Sequence, residues 1–147
     1  MLKKSCNREI IHFEISSDEA NIDTVIRHSC SFLEENAVKP SLEFKIVLRE
    51  LMRNAIVHGN KLVTEKNVEI SICRMGREYF KLTVQDQGEG FDFTTLSLKT
   101  PCDPRRMFNR GYYLINELAE GMKFCNDGRT VSIILKLNCA SGSNLTV

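Results

Sequence analysis

Residues 44 to 60 carry the pattern that most constrains what this chain can fold into. Phe44, Leu48, Leu51 and Ala55 recur at i, i+4, i+7 and i+11, the spacing of one apolar stripe on a helix. Glu50, Asn54 and His58 recur at i, i+4 and i+8 and form a polar stripe. At about 100° per residue, Glu50 lies one step around from Leu51, so the polar stripe borders the buried one. Gly59 is expected to stop the helix as a C-terminal cap, using the tolerance of glycine for φ > 0. A carboxylate and a carboxamide on the rim of a buried face admit two readings: a solvated helix flank, or a nucleotide–magnesium site. Mg²⁺ takes oxygen ligands and keeps waters and substrate phosphates, so one neutral amide oxygen can suffice. The carboxylate is then free to act as a base. The stripe alone does not decide between them.

The segments around it alternate between strand and helix signals. Arg8 to Ile15 is apolar at Ile11, Phe13 and Ile15, which predicts a strand. Ser16-Ser17-Asp18-Glu19 matches an S-x-x-E capping box, and Ile22, Val25, Ile26, Ser29, Phe32 and Leu33 give the helix after it an inward face. Ser41 can cap the central helix. Val68 to Arg74 and Tyr79 to Gln85 read as a hairpin, followed by Asp86-Gln87-Gly88-Glu89-Gly90-Phe91. Phe93 to Arg110 has little periodicity and includes Pro101 and Pro104; a loop of that length is expected to be functional or disordered. Gly111 to Glu120 reads as a short helix, and Met122 to Cys125 with Thr130 to Leu137 as a hairpin turned at Asn126-Asp127-Gly128. Cys139 to Val147 is polar and expected to be disordered. The order βααββ–loop–αββ implies one domain over residues 1–138. Its architecture is a two-layer α/β sandwich: a mixed, mostly antiparallel sheet with helices on one face.

Composition removes several function classes. Lys+Arg 20 against Asp+Glu 19 argues against a nucleic-acid binder that relies on a basic face, and leaves only a local patch open. No stretch approaches a membrane span, and the basic Met1-Leu2-Lys3-Lys4 is not followed by an apolar run, so a cytoplasmic protein is expected. The six cysteines show no C-x-x-C spacing, which argues against zinc and disulfides and for small buried hydrophobes or incidental thiols.

Taken alone, Asp-x-Gly-x-Gly after a strand is a common turn. The ordered set Glu50-x-x-x-Asn54-x-x-His58-Gly59, then Asp86-x-Gly88-x-Gly90-Phe91, then a long loop, then Asn109-Arg110-Gly111-Tyr112, is far more specific. It resembles the GHKL ATPases, the fold of DNA gyrase B, the Hsp90 chaperones, histidine kinases and MutL. Glu50 to Asn54 matches the N box, Asp86 to Gly90 the G1 box, and Arg110-Gly111 the position of the G2 box. The resemblance implies ATP and Mg²⁺ as cofactors, with Asp86 accepting a hydrogen bond from the adenine amino group. Gly88 and Gly90 would let the backbone pass close beneath base and ribose. Asn54 is implied as the magnesium ligand and Glu50 as the catalytic base toward a serine or threonine hydroxyl. Arg110 and the Gly111 amide would face the phosphates, and Thr130 would reach toward the adenine.

Within that superfamily, Glu-x-x-x-Asn-Ala-x-x-His-Gly-Asn and the Pro101-x-Asp103-Pro104 segment resemble the anti-sigma-factor serine kinases of bacterial partner switching. No phosphoacceptor-histidine helix or transducer segment is visible in the sequence, so action on another protein is expected. The implied function is an ATP-dependent serine/threonine protein kinase that sequesters a sigma factor or similar client and phosphorylates a STAS-domain anti-anti-sigma partner. A homodimer is compatible with this reading. The alternative is a non-catalytic ATP-binding regulator that acts only by protein binding. Two departures bear on the choice: the branch usually has glycine where this chain has Asn109, and an aliphatic residue where it has Tyr112. Both concern the phosphate end of the site. Arg105 and Arg106 are read as a solvated basic loop, with phosphate or an acidic partner as the alternative contact.

Overall fold

The computed structural model describes residues 1–96 and 107–139, with 107–110 described by backbone alone. Six strands form one sheet: β1 (Leu2–Cys6), β2 (Ile10–Ser16), β3 (Asn67–Arg74), β4 (Tyr79–Gln85), β5 (Gly121–Cys125) and β6 (Thr130–Lys136). Their spatial order is β1-β2-β3-β4-β6-β5. Every pairing is antiparallel, so the mixed character expected of the sheet is not needed. The register explains why one face is buried. Ile11, Ile72, Leu82 and Ile133 align in one row across four strands, and Phe13, Ile70, Val84 and Val131 in the next. All eight are buried. Alternation sends the intervening row of His12, Ser71, Thr83 and Ser132 to the other face, where polar side chains suit water.

Three helices, α1 (Ala20–Glu35), α2 (Leu42–Arg53) and α3 (Met107–Leu118), accompany the sheet. Helix α1 buries Ile22, Val25, Ile26, Ser29, Phe32 and Leu33, the face its periodicity predicts. Helix α2 buries Phe44, Val47, Leu48, Leu51 and Met52. At its start the Ser41 hydroxyl accepts a hydrogen bond from the Phe44 amide at 3.1 Å, as expected of a cap. Each fully buried phenylalanine or isoleucine in this core contributes about 1.5–3 kcal/mol of burial energy. Two surface ion pairs, Arg49 with Asp23 at 2.6 Å and Arg53 with Glu19 at 3.5 Å, tie α2 to α1.

Three expectations change. Strand β1 extends the sheet where the sequence showed no alternation. The capping box is not used: α1 begins at Ala20, and the Asp18 carboxylate accepts from the Ala20 amide at 2.9 Å while Ser16 Oγ accepts from Asn21 Nδ2 and from the terminal amine. Helix α3 starts at Met107 rather than at Gly111, so Asn109 lies in its first turn. The loop that precedes it is described through Leu96, with a short 3₁₀ turn at Phe93–Thr95. Pro101, Asp103, Pro104, Arg105 and Arg106, and the tail from Ala140 to Val147, lie outside the described residues. No helix among the described residues is long and apolar enough to cross a membrane.

Candidate functional site

Helix α2 does not end at its last α-helical residue. It widens into a π-helical turn over Asn54–Gly59, in which the Asn60 amide donates to the Ala55 carbonyl at 2.8 Å. Such wide turns re-aim side chains and recur at functional sites. An asparagine stands at each end. Asn60 is fully buried; its Nδ2 donates to Ser17 Oγ at 2.8 Å and to the Asn67 carbonyl at 3.0 Å, and its Oδ1 accepts from the Gln87 amide at 2.7 Å. Asn54 is 3% exposed, and among the described residues its Nδ2 has no hydrogen-bond partner. A buried amide left unbonded costs about 1–3 kcal/mol, which calls for a reason.

The turn brings Gly59 onto the loop after β4. Gly59 does not have a positive φ; the left-handed residues are Lys61 and Leu62, just beyond it. What Gly59 supplies is space, since a Cβ there would stand 2.3 Å from Asp86 Oδ2. A Cβ on Gly88 would in turn stand 2.0 Å from the Gly59 carbonyl oxygen. Gly90 does need its freedom: its φ is +82°, and it lies against the Asp127 carbonyl. Asp86 is held by its own amide donating to the Arg129 carbonyl at 2.9 Å, while its Oδ1 accepts from the Gly88 amide at 2.8 Å. Burial pushes its carboxyl above the ordinary range; the Gly88 bond and the Arg129 and Lys66 charges oppose that shift.

Asn54, Asp86, Gly90, Phe91 and Tyr112 meet around one cavity of about 40 Å³, with His58 and Gly59 on its wall. Burial, and then the Arg53 charge, lower the pKa of His58, so its imidazole is neutral at neutral pH. Gly111 abuts Asn54, since a Cβ built on it would stand 3.1 Å from the carboxamide nitrogen. The N box, the G1 box and the glycine of the G2 box therefore converge. Glu50, one helical turn before Asn54, lies instead on a separate open groove with Leu42, Lys45, Ile46, Arg49 and Arg53. Thr130 is buried opposite Gln85 in the β4–β6 pairing, its hydroxyl accepting from Asn126 Nδ2 at 2.8 Å, and it does not line the cavity. The Arg110 backbone is in α3, and its side chain is outside the described residues.

A sequence model of the histidine kinase-like ATPase domain matches residues 15–135. The chain belongs to the histidine kinase-like ATPase family. A comparison with curated proteins gives no match. Membership makes this an ATP-using, kinase-like domain, and the antiparallel sheet with its helices on one face is the fold such a domain has.

Two features of this histidine kinase-like ATPase domain escape a reading of boxes. Asn60 fixes the Asp86 loop through Gln87, and Gln87 Oε1 accepts from the Asn67 amide at 2.6 Å, so the loop is tied to β3 as well. The available signal was an asparagine directly after a helix-ending glycine, but its partners are up to 43 residues away. The second is aromatic. Phe91 stacks on Tyr112 with ring centroids 5.8 Å apart, and Phe124 meets both edge-on at 5.5 and 5.1 Å.

Proposed function

We propose that this domain is an ATP- and Mg²⁺-dependent serine/threonine protein kinase of the partner-switching type, acting on a STAS-like protein partner and sequestering a sigma factor or similar client. The observation that carries the nucleotide reading is the buried, unbonded Asn54 amide beside Asp86 and against Gly111. A neutral amide buried without a partner suits a metal–phosphate ligand, because it costs less to hold empty than a carboxylate would. Its oxygen and nitrogen are interchangeable by a flip, so the side chain can present either atom. ATP with its metal, when bound, supplies an activated phosphoryl group. Asp86, fixed by two backbone bonds, would accept from an exocyclic amine and disfavour a base carrying a carbonyl there. Gly111, with no side chain, would leave room for phosphate oxygens beside Asn54.

Glu50 would take the proton from the incoming hydroxyl. Its place on the outer groove of α2, rather than in the closed cavity, supports a base that serves a hydroxyl arriving from outside on another protein. The test is transfer of labelled phosphate from ATP into proteins of the source cell, with Glu50→Gln as the control. Glu50→Gln keeps shape and removes the base, so ATP affinity holds and transfer falls by about 10²–10⁴. Unchanged transfer in a purified system would remove Glu50 from the mechanism; ATP binding without any transfer would leave the purely binding regulator.

A further inference from the structure

We propose that Arg129 is the positioning residue for base selection: through its carbonyl and its guanidinium it holds the Asp86–Phe91 loop at two points, so that the Asp86 carboxylate meets an exocyclic amine in one orientation. This rests on reading Asp86 as the group that meets the base of ATP, and it places part of the selectivity in a residue outside the three boxes. Residues 86 to 92 belong to no helix or strand, so ladder bonds do not fix them. A carboxylate that reads one edge of a base must nevertheless be held still, because a donor or acceptor out of line loses most of its discrimination.

The turn between β5 and β6 does the holding. The Arg129 carbonyl accepts from the Asp86 amide at 2.9 Å, and the Asp127 carbonyl accepts from the Phe91 amide at 2.9 Å. Between those two points the Arg129 side chain reaches the loop. One guanidinium nitrogen donates to the Glu89 carbonyl at 3.5 Å, and another stands 3.6 Å from the Asp127 carboxylate. Turn and loop also interlock by shape. A Cβ on Gly90 would stand 2.3 Å from the Asp127 carbonyl oxygen, and one on Gly128 would stand 2.6 Å from the Phe91 carbonyl oxygen. To reach this fit, Asn126, Asp127 and Gly128 all adopt left-handed backbone, with φ of 53°, 56° and 87°. Residues with a Cβ disfavour that region, asparagine and aspartate least, and they keep it where the surrounding structure holds them there. The guanidinium adds charge to position. Burial raises the pKa of the Asp86 carboxyl, and the Gly88 bond, Arg129 and Lys66 oppose that in turn, so Arg129 favours the ionised acceptor as well as its place.

The backbone bonds survive any change of side chain, so the guanidinium is the contact that substitution can remove alone. Arg129→Met keeps the carbonyl on the Asp86 amide and removes the charge and the Glu89 bond. ATP and inosine triphosphate differ at one edge of the base, which carries an amine in the first and a carbonyl in the second. The natural protein should prefer ATP, and calorimetry with both nucleotides should show that preference fall by about 3- to 10-fold in Arg129→Met, the worth of about one hydrogen bond. A variant that is merely less well folded loses both nucleotides in equal proportion and keeps the ratio. Arg129→Lys retains a charged donor and should recover most of the lost preference. An unchanged ratio in Arg129→Met, or a Lys variant no better than the Met variant, overturns the inference and leaves the ATP site standing. Should the natural protein bind neither nucleotide, or bind both alike, the reading of Asp86 as the group that meets the base falls, and this inference with it.

Discussion

Asn54 and Asn60 are the same residue, six positions apart, at the two ends of one π-helical turn, and both are buried. Asn60 makes three hydrogen bonds, to the α1 approach, to β3 and to the Asp86 loop. Asn54, among the described residues, leaves its Nδ2 with none. The difference separates a part of the site that the fold completes by itself from a part left for something else to complete. The Asp86 side is a finished piece of tertiary structure, with bonds of 2.6–3.0 Å and glycines packed too closely to be replaced. The Asn54 side is an unsatisfied amide set against Gly111 of α3.

The contrast can be broken most forcefully at Asn60. Asn60→Ala strands the Gln87 amide and the Ser17 and Asn67 oxygens, and should destabilise the fold by about 2–4 kcal/mol in a denaturant titration. A loss under about 0.5 kcal/mol would show that this network does not hold the loop. A smaller effect, confined to binding, is expected at Asp86. Asp86→Asn keeps a side-chain oxygen for the Gly88 amide but presents the wrong group to an exocyclic amine, weakening ATP by about 1–3 kcal/mol. Acidification adds a check. The folded carboxyl has a raised pKa, so the folded state takes up its proton before the unfolded state does. Its ionised form therefore weighs against folding at neutral pH, and that burden lifts as pH falls through the raised value. ATP affinity should move the opposite way and decline from above the ordinary carboxylate range. Calorimetry across pH should show that decline in the natural protein and a flat profile in Asp86→Asn. The smallest effect on stability belongs to Asn54. Asn54→Leu removes an unbonded buried amide for an apolar group of similar size, so melting should stay within about 1 kcal/mol of the natural protein or rise. The dependence of ATP affinity on Mg²⁺ should disappear. A large destabilisation would mean that Asn54 is structural after all.

Much of this was legible because it is local. The inward face of α1 reads off a 3.6-residue period, the hairpin turn at Asn126-Asp127-Gly128 off its residue types, and the Ser41 cap off its place before an apolar run. The three boxes could be matched by spacing, and the fold does bring Asn54, Asp86 and Gly111 together. What was illegible depends on distance in the chain. Gly59 looked like a helix stop with positive φ, and only its collision with Asp86, 27 positions on, shows that its lack of a side chain is what counts. Tyr112 read as a departure in the G2 box, and only the fold shows its ring packed among Phe91 and Phe124 around the cavity that Asp86 and Asn54 also line.

Strand β1 was missed for a different reason, and that reason has a consequence for the protein in solution. It forms one margin of the sheet, and Leu2-Lys3-Lys4-Ser5-Cys6 carries almost no apolar alternation because it has little core to cover. A bare strand margin is a template on which other chains can stack. Lysines on that margin oppose such stacking through charge and the cost of stripping their water. Lys3 and Lys4 are both exposed there. The residues that conceal the strand from a pattern reading are thus suited to keeping crowded copies of the protein from aggregating edge to edge.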